Sequence, residues 1–258
     1  MLRIAARNSG TARTYRSTMA TAKLRGWGEM WKLTASGLAA VLIVVAASTA
    51  ETHSLKELVG QLGSREKYFQ PIDKIAPVFE LRDINGRTVR LDTFHDRVVV
   101  LHFIYTRCPD ICPLHAERIA VVQEMVNQTP MKDQVQFISI TTDPENDTPE
   151  VLRGYGPAHG LDPVNWIFLT SGTDRPTATR ALAKRYGHTF TKNEDNYYQL
   201  HSLVTHIIGR GGKWQGNFYG LKFAATNLVV FVNALVNDHH KPTEQNQRSF
   251  WERVRRLF

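Results

Sequence analysis

Cys108 and Cys112 are the only cysteines in a chain of 258 residues, and three residues separate them. They lie in FIYTRCPDICP, where an apolar run passes through both cysteines into a segment with helical spacing. Cysteines four apart on a first helical turn face the same side, with Cβ atoms roughly 5–6 Å apart. From there both sulfurs reach one metal ion, and a modest adjustment joins them in a disulfide. Amides at a helix N-terminus favour the thiolate and lower the thiol pKa. Thiolates are soft donors that select Cu(I) or zinc over hard cations. A structural disulfide stabilises most when it closes a long loop. A bridge across three residues closes almost none, so redox or metal chemistry is the expectation.

Two thiolates leave an ion under-coordinated, and ten histidines compete for the third position. His53 precedes the domain, and His239 and His240 fall in the C-terminal tail. His102 reads as a packed residue within a strand, and His115 as a residue on the outer face of the helix after Cys112. His201 stands directly before an apolar strand, and alternation puts His206 on one face of that strand. The residues alone place His201 only slightly ahead of His206. Asp110 reads as ordinary pairing of an acid with the helix dipole. Asp143, Glu145 and Asp147, interrupted by Pro144 and Pro149, read as a turn and helix cap rather than a calcium cage.

The elements that must position these groups follow from periodicity. Residues 51–76 have helical spacing through Leu55, Leu58, Val59 and Leu62. Phe79 and Leu81, then Asn85-Gly86, then Val89 and Leu91 signal a hairpin. RVVVLHFIYT, residues 97–106, has the continuous apolar run of a strand buried on both faces, and a helix is expected over 113–127. A second buried strand covers 135–142, with Asp147 or Thr148 capping a helix that Pro149 opens. A third strand covers 166–170, a helix 174–186, a fourth strand 202–208 and a last helix 218–236. The alternation predicts an α/β sandwich. The apolar run 228–236 reads as a buried packing helix rather than a second span.

The formal charge of +8 and pI near 9.6 suggest nucleic acid until they are located along the chain. Residues 1–32 hold seven basic side chains and one acid, so the remaining 226 residues carry only +2. The basicity belongs to a leader, and nucleic acid is rejected as a partner. Residues 33–50, LTASGLAAVLIVVAASTA, carry no charge and read as an export signal or membrane anchor. The positive-inside bias then puts everything after Ala50 on the far side of the membrane. Five segments result: a basic leader 1–32, the apolar segment 33–50, a linker and helix 51–74, the domain 75–237, and a basic tail 238–258. The leader also suits a mitochondrial presequence, so the two expected locations are the periplasmic side of an inner membrane and the mitochondrial intermembrane space.

Residues 75–223 resemble the Sco (SenC) family of copper proteins of cytochrome c oxidase assembly. FIYTRCPDICP is similar to that family's Phe-x-x-Thr-x-Cys-Pro-Asp-x-Cys-Pro, and DPENDTPEVLRGY to its Asp-Pro-x-x-Asp-Thr-Pro segment. NYYQLHSLVTHIIGRGG, residues 196–212, resembles its Tyr-x-x-Asp-His-Thr/Ser before a strand and glycine turn. The resemblance implies a thioredoxin-like fold with an N-terminal hairpin and a central mixed sheet flanked by helices. It implies copper, as Cu(I) with Cu(II) as a second state, held by Cys108, Cys112 and His201, with Asp143 beside the site. It also implies a redox-active Cys108–Cys112 disulfide. The implied partners are the copper-bearing oxidase subunit and other copper chaperones, with the membrane engaged through the N-terminal segment. Leu200 departs from the pattern by replacing the family's Asp, and Arg210-Gly211 replaces Pro-Asp in the turn.

Three functions compete. A copper chaperone uses a three-coordinate S₂N site that leaves the ion open to a partner's ligands. A thiol–disulfide oxidoreductase uses the same sulfurs without obligatory metal. Against thioredoxin catalysis stand the C-x₃-C spacing and the lack of any proline between Pro176 and Pro242. A peroxiredoxin-like peroxidase would need a threonine three residues before its cysteine, and Thr106 stands two before Cys108.

Overall fold

A computed structural model describes residues 54–192, 198–200 and 202–238 of the chain. The leader, the apolar segment 33–50, the tail from residue 239 and His201 lie outside the described residues. The described chain opens with helix α1 (Leu55–Arg65), started by Ser54, whose hydroxyl accepts from the Glu57 amide at 3.2 Å. Beyond it the helical expectation for 51–76 fails, because Phe69–Ile75 is a strand, β1. Its FQPIDKI pairs along one side with β10 (Lys213–Tyr219), and its register slips between Pro71 and Lys74. Proline is tolerated there because β1 is an edge strand, with no second neighbour needing its missing N–H.

The hairpin forms as β2 (Glu80–Asp83) and β3 (Thr88–Arg90). Its turn closes through the Asp83 carboxylate, which accepts from the amides of Asn85 and Arg87 at 2.8 and 2.9 Å. Gly86 takes the positive φ, 79°, that the turn requires. The central strands are β4 (Val98–Ile104), β5 (Val135–Thr141), β6 (Trp166–Thr170) and β9 (Val204–Gly209). Eight strands make one sheet in the order β1-β10-β9-β4-β5-β6-β2-β3. β4, β5 and β6 run parallel, and the other pairings are antiparallel. Every residue of β4, β5 and β9 is buried, as strands covered on both faces require.

Helices α2 (Ile111–Asn127), α3 (Pro149–Ala158), α4 (Ala178–Arg185) and α5 (Ala225–Asp238) complete the domain. Thr148 rather than Asp147 caps α3, with Pro149 in its first turn. α3 lies close enough to β6 that a Cβ on Gly156 would meet the Trp166 ring at 2.1 Å. The final helix is shorter than expected, since residues 213–219 belong to β10 and α5 starts at Ala225. Within α5, Leu228, Phe231, Val232, Leu235 and Val236 are buried, as a packing helix requires. Glu66 pins the start of α5 to the chain after α1, accepting from the Ala224 amide at 3.0 Å and from Asn227 Nδ2 at 2.7 Å.

A small hairpin, β7 (Phe190–Lys192) and β8 (Tyr198–Leu200), stands apart from the main sheet. The departure at Arg210 also has a structural partner set. Its guanidinium donates to the carbonyls of Asp96 and Val236 and to Gln134 Oε1, at 2.7, 3.0 and 2.6 Å. The mixed sheet with flanking helices and an added N-terminal hairpin is a thioredoxin-like fold.

Candidate metal centre

The cysteines sit where central strand β4 runs out. Cys108 precedes the helix rather than standing on its first turn, because α2 begins at Ile111 with Asp110 as its N-cap. The Cys108 amide donates to the Tyr105 carbonyl at 3.2 Å, which turns the chain back on itself. That turn aims the Cys108 sulfur at the helix start, where it accepts from the Cys112 amide at 3.3 Å. Asp110 caps with its backbone position alone, since its side chain makes no capping hydrogen bond.

The two thiols are unequal. A hydrogen bond from the Cys112 thiol holds Cys108 well below the usual thiol range, to about 5. The amides of Cys112 and Asp110 and the Tyr105 hydroxyl add to this, and burial opposes it. Cys112 is pushed up because it keeps the shared proton, and because burial disfavours a second thiolate. The asymmetry favours a thiolate at Cys108 and a retained proton at Cys112. Both cysteines are free. They are also buried, Cys108 to 4% exposure and Cys112 to 1%, so the dithiol is more covered than an open three-coordinate site implies.

The loop between β5 and α3 braces this turn. Asp147, 1% exposed, accepts from the Thr106 amide at 3.2 Å and from the hydroxyls of Thr106 and Thr141. Burial raises its carboxyl, against those hydrogen bonds. Asp143 accepts from Arg107 Nε and Nη2 at 3.0 and 2.7 Å and from Asn146 Nδ2 at 2.9 Å. The acid expected beside the site therefore reaches the cysteine turn through Arg107. Glu145 pairs with Arg180 at 3.2 Å, which disperses the three acids that a calcium site would have gathered.

The histidines separate clearly. His102 is a packed strand residue, with Nε2 3.1 Å from Ser139 Oγ. His115 does not face solvent as the sequence suggested. It is fully buried, its Nε2 lies 2.9 Å from Thr205 Oγ1, and burial lowers it to about 3. It continues the buried stripe of Cys112, Ala116, Ile119, Val122 and Val126 along α2. His206 has both ring nitrogens engaged, Nδ1 with Asn217 Oδ1 at 2.8 Å and Nε2 with His188 Nε2 at 2.9 Å.

Tyr155 was not anticipated. Its hydroxyl is buried without a partner among the described residues. Burial first, then charge on Cys112 and Cys108, raises its pKa, which places the phenol in the field of the sulfurs. Among the described residues no group of three or more His, Cys, Asp and Glu side chains is placed to hold a metal ion. The described donors toward a metal are thus the two sulfurs, a set that suits a soft cation.

A thioredoxin-like domain carrying a C-x₃-C dithiol at the end of its central strand defines a narrow class. The sequence profile of the SCO1/SenC family matches residues 69–235, and the chain belongs to that family. An SCO2-like protein of Rickettsia prowazekii is 31% identical over 200 residues, covering 76% of this chain and 91% of its own. ScoI of Bradyrhizobium japonicum, solved with copper bound, is 26% identical with a TM-score of 0.52, covering 62% of this chain and 98% of that one. BsSco, a member of the Sco family of cytochrome c oxidase assembly proteins, shares the fold at 23% identity and a TM-score of 0.57, covering 65% and 96%.

Proposed function

We propose that the chain is a copper-binding assembly factor for the copper-bearing subunit of cytochrome c oxidase, working with other copper chaperones. It takes Cu(I) as cargo between Cys108, Cys112 and His201. The observation that carries this reading is the dithiol at the end of β4, where the Cys108 sulfur accepts from the Cys112 amide at 3.3 Å and the Cys108 thiol is lowered while that of Cys112 is raised. Cys108 supplies the first thiolate without prior deprotonation, and Cys112 loses its proton when the ion is captured. His201 as the third donor rests on the family resemblance, and it is supported by His206 spending both nitrogens on Asn217 and His188. His102 and His115 are committed on one side to Ser139 and Thr205 within the core. Copper-bound relatives of the same fold support the choice of metal.

The same asymmetry favours a second reading, thiol–disulfide exchange with a partner's disulfide. Cys108 thiolate attacks one partner sulfur, forming a mixed disulfide and releasing the other as a thiolate. Cys112 then passes its proton to that leaving thiolate and attacks Cys108 Sγ. The Cys108–Cys112 disulfide forms, and the partner leaves with its disulfide reduced by two electrons in all, one sulfur as thiol and the other as thiolate.

The proposed setting is the outer side of a bacterial inner membrane, or the mitochondrial intermembrane space, reached through the leader and the apolar segment 33–50. No helix among the described residues is long and apolar enough to cross a membrane, so anchoring falls to that segment. Metal analysis of the full chain after loading with Cu(I) tests the reading. One copper per chain is expected, falling to trace levels in Cys108→Ser and Cys112→Ser and falling clearly in His201→Ala. Full occupancy in His201→Ala contradicts it.

A further inference from the structure

β9 alternates, so Thr205 and His206 face opposite sides of the sheet. Thr205 meets His115 of α2, and His206 meets the rings of Tyr186 and Trp214 at 4.9 and 5.2 Å. His206 belongs to a hydrogen-bonded chain whose direction its partners fix. An indole N–H only donates, so the Asn217 atom 2.8 Å from Trp214 Nε1 is the amide oxygen. Asn217 Nδ2 donates in turn to the Tyr219 hydroxyl at 3.1 Å. His206 Nδ1, 2.8 Å from that same oxygen, therefore carries its proton, and His206 Nε2 is left to accept. His188 donates to it from Nε2 at 2.9 Å, which leaves His188 Nδ1 as the acceptor for the Ser202 hydroxyl at 2.8 Å. Every nitrogen of the two neutral rings is satisfied, and the chain runs from the sheet to Ser202.

Ser202 is the residue after His201. On the other side, Leu200 is 3% exposed and pairs with Phe190 across the β7–β8 hairpin. Two residues further out from that pair on each strand stand His188 and Ser202, joined by their side chains. The base of the hairpin is thus closed by an imidazole–hydroxyl clasp, and His201 is the single residue between two anchored neighbours.

We propose that His188 and His206 are positioning residues for the copper ligand His201, a role that rests on reading His201 as the third donor. Ordering a free backbone segment costs conformational entropy, and a ligand whose neighbours are already fixed is spared most of that cost. The clasp also gives Leu200 a purpose. Where the family pattern has Asp before the histidine, this chain anchors the same point by apolar burial and by imidazoles reaching from the sheet.

The test uses the full chain, with Cu(I) affinity read by competition against a chromophoric Cu(I) chelator. Amide hydrogen exchange over residues 200–204 of the copper-free protein is the second readout, and the dithiol–disulfide midpoint potential the third. His188→Leu is expected to weaken copper by several-fold, since it frees Ser202, the residue next to His201. It should also speed exchange over 200–204 and leave the midpoint potential unchanged. His188→Gln keeps one donor and one acceptor and should recover most of the affinity. Ser202→Ala breaks the clasp at its half-buried end and should weaken copper in the same direction, serving also if His188→Leu does not fold. Wild-type affinity in Ser202→Ala and both His188 variants, with His201→Ala losing copper, would overturn the positioning role and leave the ligand reading intact. Faster exchange without lost affinity overturns it as well. Wild-type affinity in His201→Ala would instead remove the ligand reading itself.

Discussion

On the cysteine side of the site, a carboxylate buried beneath the loop gathers an amide and two hydroxyls, and an arginine on the turn reaches a second acid. On the histidine side, two neutral imidazoles and a serine hydroxyl hold the chain, with no charge among them. The difference follows from what each side must present. A thiolate is stabilised by amides at a helix start, and its turn can tolerate buried acids only because each is saturated with donors. The proposed imidazole ligand would need only a fixed approach, which uncharged hydrogen bonds inside an apolar wall would provide.

The largest way to break this contrast is Asp147→Ala. It leaves the half-buried Thr106 amide and hydroxyl and the buried Thr141 hydroxyl without their acceptor, so a loss of about 3 kcal/mol is expected in chemical denaturation. Asp147→Asn keeps acceptor capacity and should cost about half as much. Leu200→Asp restores the residue common in the family. It places a carboxylate at a site 3% exposed, so about 2 kcal/mol of destabilisation is expected and no gain in copper affinity.

Acid sharpens the contrast, because the two braces respond in opposite directions. Burial lowers His188 to about 4 in the folded protein, below the free imidazole near 6.5. Its contribution is present above pH ~6.5 and is lost as pH falls toward 4. Burial raises Asp147, so its contribution is fullest below the free carboxyl value and declines as pH rises through the folded one. Protection factors, which remove the intrinsic slowing of exchange in acid, should therefore fall over residues 200–204 between pH 7.5 and pH 5 while those over 105–112 hold or rise. The smallest effect is Arg107→Gln. Its side chain is 43% exposed, so losing the Asp143 pair should cost under about 1 kcal/mol.

Where burial is continuous or periodicity clean, the sequence was readable. β4 and β5 announced themselves as apolar runs, the hairpin by Asn85-Gly86, and the dithiol by its own spacing. β1 and β10 were not legible. β1 buries only Phe69 and contains Pro71, and β10 contains Gly216 with a slipped register beside it, so neither shows simple alternation. His115 was misread although its signal was present, four residues before Ile119 and seven before Val122 on the buried stripe. The His188–His206 pair left no local trace, because the two residues meet only through the sheet, and their meaning depends on Ser202 and Asn217. His201 stood out through resemblance more than through spacing.

X-ray absorption at the copper edge on the full chain, loaded with one equivalent of Cu(I), probes the coordination most directly. Two sulfurs and one nitrogen around copper, with the nitrogen lost in His201→Ala, is the expected result. A nitrogen that persists in His201→Ala, or a shell holding fewer than two sulfurs, would contradict it.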